Sequence, residues 1–223
     1  MTNSILVVAA HPDDEVLGCG GTIAKHVFGG DSVSVLFMTN GVSARDGDQS
    51  LAELTRKQSS LSALKKLGVE AVCFEKFPDN TMDVVPLIDV VKVIEKYISE
   101  KKPNIIYTHF SEDLNVDHRV THQAVMTACR PQSWSSVKEI YCFEVLSSTE
   151  WNSSVKVKFN PTKFVDITEY YDLKMDALLE YKQEMREFPH SRSVECVEAL
   201  AVFRGAIVGL NRAEAFQIER IIN

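Results

Sequence analysis

The run Ile5-Leu6-Val7-Val8-Ala9-Ala10-His11-Pro12-Asp13-Asp14-Glu15 decides how this chain is read. Its unbroken apolar half has no polar alternation, which predicts a strand covered on both faces, as in a parallel sheet flanked by helices. It then breaks into an imidazole, a proline and three carboxylates. A polar cluster therefore stands just beyond the carboxyl end of the first strand.

Outward from this run the same pattern recurs. Short apolar segments at Ser32–Met38, Ala71–Phe74, Asn104–Thr108 and Glu139–Phe143 alternate with helical-period segments at Gly20–Phe28, Gln49–Leu67, Val84–Ser99 and Asp117–Cys129. Such alternation predicts an α/β, Rossmann-like fold with a mainly parallel sheet between helices. Gly29-Gly30, Gly68 and Pro103 punctuate the element ends. Beyond Phe143 comes a polar stretch, Ser147–Ser154, then an expected strand pair near Val155–Phe159 and Lys163–Val165. Helices over Thr168–Arg186 and Val194–Val208 and a short C-terminal helix complete the expectation. No repeat or linker divides the chain, so residues 1–223 read as one domain.

Composition narrows the class. With 24 basic and 31 acidic residues the net charge is −7, which gives nucleic acid or an anionic membrane no electrostatic hold. No apolar run approaches the roughly 20 residues of a membrane span. Met1-Thr2-Asn3-Ser4 carries no basic region of a secretory signal, so a cytoplasmic location is expected. The five cysteines are odd in number and lack C-x-x-C spacing, which predicts free thiols.

In open α/β sheets ligands bind beyond the carboxyl ends of the strands. Three polar clusters fall there: His11 to Glu15, Thr39-Asn40-Gly41, and His109 to His118. Carboxylates packed as closely as Asp13, Asp14 and Glu15 are costly without a cation among them. His11 and Asp14 offer a nitrogen and an oxygen donor suited to zinc or a similar divalent ion, beside which Asp13 could remain unligated. His118 and His122 share a helical face, although H-R-V-T-H lacks the glutamate of the H-E-x-x-H zinc motif. Asp117 reads as a helix cap or as an acceptor for a histidine N–H. Gly18-Cys19-Gly20-Gly21 lacks dinucleotide-binding spacing and predicts instead close backbone packing behind the acidic loop.

Ala10–Glu15, Gly20–Ala24, Thr39–Gly41, Arg56, Asp117–Arg119 and Ala213–Phe216 together resemble the LmbE-like, PIG-L type family of zinc-dependent N-deacetylases. The resemblance implies that His11, Asp14 and His118 hold one zinc ion and that Asp13 is the general base. It implies a small N-acetylated amino sugar or sugar conjugate as substrate. One position departs from the family: Asn115 stands where many members have a histidine that assists proton transfer. Asparagine cannot supply a proton or positive charge, and His109, His122 and His190 are the available substitutes. His190, in a polar loop, is the expected catalytic partner, with Arg56, Asn115 and Arg192 as substrate contacts. The competing readings are a metal-dependent hydrolase of an ester or phosphoester, and a non-catalytic sugar- or nucleotide-binding protein with a vestigial metal site. A homo-oligomer is possible, with contacts expected around Ser147–Val165.

Overall fold

The computed structural model describes residues 2–42, 49–154 and 157–223. Among the described residues seven strands form one sheet in the order β3-β2-β1-β4-β5-β7-β6. The parallel part comprises β1 (Ser4–Ala9), β2 (Ser32–Thr39), β3 (Ala71–Phe77), β4 (Ile105–His109) and β5 (Glu139–Phe143). β6 (Lys163–Asp166) and β7 (Ala213–Ile221) extend it in antiparallel pairing.

The helices cover both faces because each central strand is apolar on both. Ile5, Val7 and Ala9 of β1 pack with residues of α1 (Asp14–Phe28), α2 (Gln49–Lys66) and α5 (Tyr171–Leu178). Leu6 and Val8, pointing the other way, pack with α3 (Leu87–Lys101) and α4 (Val116–Ala128). A last helix, α6 (Val194–Ala206), lies against β7. Among the described residues no helix is long and apolar enough to cross a membrane.

Several late expectations need correction. The chain from Ala213 forms β7, not a helix: Ala-Glu-Ala-Phe favours a helix by propensity, but the open edge of β5 takes these residues as a strand. Thr168–Arg186 is not one helix; α5 is flanked by 3-10 turns at Thr168–Tyr170 and Leu179–Tyr181. Residues 155 and 156 lie outside the described set, and 157–160 form no strand. β6 pairs instead with β7.

Strand order reverses between β1 and β4, so their loops diverge and leave a crevice at their carboxyl ends. α1 starts there, with Asp13 at its N-cap in a left-handed conformation (φ 117°). Farther along, Cys19 (φ −150°) interrupts α1. An interrupted helix leaves backbone groups unpaired. Glu214 of β7 accepts from the Gly21 and Thr22 N–H groups at 2.9 and 2.7 Å. Lys174 of α5 donates to the Leu17 carbonyl at 3.0 Å and pairs with Glu214 at 2.7 Å.

The glycines of this segment are required by close approach. A Cβ on Gly18 would lie 2.3 Å from Phe143 Cδ2, and one on Gly21 would lie 2.8 Å from Ile167 Cβ. Gly18→Ala should therefore lower stability by about 1–3 kcal/mol through overpacking, outweighing the roughly 1 kcal/mol that alanine gains in a helix. Urea unfolding checks this, and an unchanged midpoint would show that Phe143 moves aside without cost.

Candidate metal centre and active-site cleft

Three donor atoms meet at the carboxyl ends of β1 and β4. His11 Nδ1 lies 3.2 Å from Asp14 Oδ2, His118 Nε2 lies 3.3 Å from the same oxygen, and the two ring nitrogens are 3.3 Å apart. All three residues are buried. Bonds of about 2.0–2.1 Å to a tetrahedral zinc place donors about 3.3 Å apart. The triangle therefore has the dimensions expected of three zinc ligands.

Both histidines turn their other nitrogen toward carboxylates. His11 Nε2 is 3.0 Å from Asp117 Oδ2 and 3.2 Å from Asp79 Oδ1. Asp117 also accepts from the backbone N–H groups of Asn80 (2.6 Å) and Met82 (2.9 Å). His118 Nδ1 makes an ion-pair contact of 3.1 Å with Asp113 Oδ1. With these nitrogens carrying the ring protons, lone pairs of His11 Nδ1 and His118 Nε2 face a carboxylate oxygen and each other. Such an arrangement calls for a cation.

The electrostatics agree. Burial disfavours charge on His11 and His118, but the surrounding carboxylates outweigh it, holding His11 well above the ordinary histidine value and raising His118 to about 9. Burial pushes Asp14 up, yet His118 and His109 bring it well below the ordinary range. The site favours positive charge at its centre.

Asp13 stands beside the triangle and takes no part in it. Its Oδ2 receives Arg192 Nη1 at 3.2 Å and Arg56 Nη2 at 3.3 Å. Burial raises its pKa while the two arginines pull the other way, leaving it above the usual value. Next to it, burial pushes Glu15 up to about 8; Glu15 accepts from the Asp13 N–H at 2.9 Å and from the Tyr181 hydroxyl at 2.6 Å. Arg56 is itself paired with Glu184. Asp13, Arg56, Glu184 and Arg192 line, with the donor triangle, a cavity of about 150 Å³ with an almost wholly polar wall.

The structure brings His11, Asp13, Asp14, Arg56, Asn115, His118 and Arg192 to this cleft. His190 is not among its lining residues. Its Nδ1 accepts from the Arg192 N–H at 3.0 Å and its ring packs edge-on against Trp151. The polar loop is near the cleft, but its turn delivers Arg192 and leaves the histidine outside. Asn115, not Asp117, caps α4: its side chain accepts from the Asp117 N–H at 2.8 Å and donates to Asn80 Oδ1 at 3.1 Å.

The other substitutes are also engaged elsewhere. His109 stacks on His118 at 3.9 Å and accepts from the Ala10 N–H at 2.8 Å; burial and His118 hold it well below the ordinary histidine value. His122 directs Nδ1 to the His109 carbonyl at 3.0 Å. It forms a separate group with Cys142 and Glu219, but that nitrogen is spent as a donor, and burial holds the Cys142 thiol protonated. All five cysteines are free.

Sequence reasoning missed Asp79, Asp113, Ser147, Ser148 and Glu184. Asp79 and Asn80 follow β3, so the rule that places ligands at strand ends could have found them. Asp113 lies in the cluster after β4, where its contact with His118 has no local signature, and Ser147, Ser148 and Glu184 arrive on segments whose direction no local pattern encodes.

A profile of the PIG-L family, described as GlcNAc-PI de-N-acetylase, matches residues 6–129. The chain is 32% identical over 183 residues to the uncharacterized deacetylase YaiS of Escherichia coli K12, covering 80% of this chain and 90% of that protein. It is 26% identical over 191 residues to a probable N-acetyl-alpha-D-glucosaminyl L-malate deacetylase 2 of Bacillus subtilis 168, covering 82% of this chain and 84% of that one. Among solved structures, GalB, the 4-carboxy-2-hydroxymuconate hydratase of Pseudomonas putida KT2440, has a TM-score of 0.81 at 23% identity, covering 100% of this chain and 99% of that chain. Likeness at that identity bears on the fold alone.

Equilibrium dialysis against zinc should give about one ion per chain. His118→Ala should lose the ion and His122→Ala should retain it. The opposite pattern would move the ligand role to His122.

Proposed function

Because the chain belongs to the PIG-L family, we propose that it hydrolyses the N-acetyl group of an amino sugar or sugar conjugate, using zinc held by His11, Asp14 and His118. The observation that carries this reading is the triangle of donors 3.2–3.3 Å apart with an unligated carboxylate, Asp13, at its side. A purely structural metal site would need no such carboxylate. The names of the relatives support an N-acetylated sugar conjugate as substrate.

Zinc held by His11, Asp14 and His118 would supply Lewis acidity to the hydrolysis. Asp13 accepts a proton from that water as its oxygen bonds to the amide carbon. The tetrahedral oxyanion then collapses, the C–N bond breaks, and Asp13 returns the proton to the departing amine. Acetate and the free amino sugar are the products. Arg192 contributes the positive charge that Asn115 cannot. Its guanidinium sits over Asp13 at the cleft wall, beyond the segment that the family profile matches. Arg56, clamped between Asp13 and Glu184, fixes the direction of the base.

Phosphoester hydrolysis fits less well. Such a reaction wants a second metal or a cationic clamp on the phosphoryl oxygens, and Arg56 is already held between Asp13 and Glu184.

The test is acetate release from a panel of N-acetylated amino sugars, sugar conjugates, O-acetyl esters and phosphoesters. Asp13→Asn should lower kcat by about 10²–10⁴ and keep zinc; loss of zinc would make Asp13 a ligand. Arg192→Ala should lower kcat by about 10², and an unaltered kcat would remove it from the oxyanion. Turnover of an ester or phosphoester with none of any amide would overturn the proposed reaction.

A further inference from the structure

The two ring systems of the donor triangle are supported differently. His11 is backed by Asp117 from the same helix that carries His118. His118 is backed by Asp113, in the loop between β4 and α4, a residue with no role in the reaction just described. Asp113 is fully buried. An ionised carboxylate in such a place needs partners for both oxygens.

It has them, and they lead across the cleft. Oδ1 accepts from the Ser148 hydroxyl and from the Asn115 N–H at 2.9 Å; Oδ2 accepts from the Thr149 hydroxyl at 2.6 Å. Ser148 and Thr149 belong to the turn after β5, in which Ser147 adopts a left-handed φ of 66°. Ser147 Oγ accepts from Arg192 Nε at 2.9 Å, and Arg192 Nη1 reaches Asp13 at 3.2 Å. One carboxylate thus ties the ring of His118 to the turn that anchors the arginine over Asp13.

We propose that Asp113 is a positioning residue that holds His118 with Nδ1 protonated and Nε2 directed at the metal position, while fixing the turn that carries Ser147 and Ser148. The proposal rests on the metal reading above. A neutral imidazole has two tautomers, and only the one with its proton on Nδ1 offers Nε2 as a ligand. A carboxylate oxygen 3.1 Å from Nδ1 favours the tautomer with the proton on that nitrogen. Removing such a partner usually weakens metal affinity by about 10–100-fold. A residue that merely anchored the turn would affect stability and leave the affinity alone.

The experiment measures zinc affinity of the full chain by competition with a chromophoric chelator, alongside the visible spectrum of the cobalt-substituted protein. Asp113→Asn preserves size and an acceptor for the hydroxyls but removes the charge facing His118. It should weaken zinc binding by about 10–100-fold and alter the cobalt bands, with the circular dichroism of the fold retained. Thr149→Val removes one anchor without touching His118; it should lower Tm and leave zinc affinity within about twofold of wild type. Asp113→Asn binding zinc as tightly as wild type would overturn the proposal, as would Thr149→Val weakening zinc to the same degree. Failure of the underlying metal reading is distinguishable, because wild-type protein would then take up no zinc in the same titration.

Discussion

The architecture of the cleft depends on the cost of burying negative charge. Asp13, Asp14, Asp79, Asp113 and Asp117 are all withdrawn from water around one small volume. Carboxylates placed together in this way are tolerated only where cations and N–H groups oppose them. The protein supplies these in separate sectors. Backbone N–H groups of residues 80 and 82 serve Asp117, hydroxyls of the turn after β5 serve Asp113, and two guanidinium groups serve Asp13. Asp14 Oδ2 accepts from the His11 backbone N–H at 2.8 Å and also faces the two imidazole nitrogens His11 Nδ1 and His118 Nε2. The remaining demand for positive charge is concentrated at the centre of the donor triangle.

The sheet makes this convergence possible without deciding its use. Reversal of strand order between β1 and β4 opens the crevice, and the loop after β3 adds Asp79 to it. A hydratase shares the same architecture over nearly the whole chain. Fold is therefore a weak guide to reaction here, and the chemistry is set by particular side chains at the cleft.

How much of this was legible in the sequence follows the range of the interactions. His11, Asp13 and Asp14 lie within four positions at the end of a strongly apolar run, so local pattern sufficed to group them. The parallel strands were legible because burial on both faces leaves an apolar run. β7 was not, since Ala213–Phe216 favours a helix until the edge of β5 is present to pair with it. The loop Phe188–Ser193 was recognisable as polar, but which of its side chains turns inward depends on packing against Trp151 and Ser147. Asp113 lies within the polar cluster after β4, but its link to the turn after β5 was not legible, because its partners, Ser148 and Thr149, are 35 and 36 positions away.

The repair of α1 by Glu214 and Lys174 gives the site an order of assembly. The ligand loop at residues 11–14 emerges early in synthesis, but the carboxylate that satisfies the Gly21 N–H behind it lies 193 positions later. Contacts of such long separation form late in folding, because the intervening chain must close first. A nascent chain carrying the first strand and the acidic loop therefore lacks both His118 and the support from β7. The candidate donors His11, Asp14 and His118 come together on a firm base only when almost the entire domain is available to fold, so a metal taken up there would bind only as the sheet is completed.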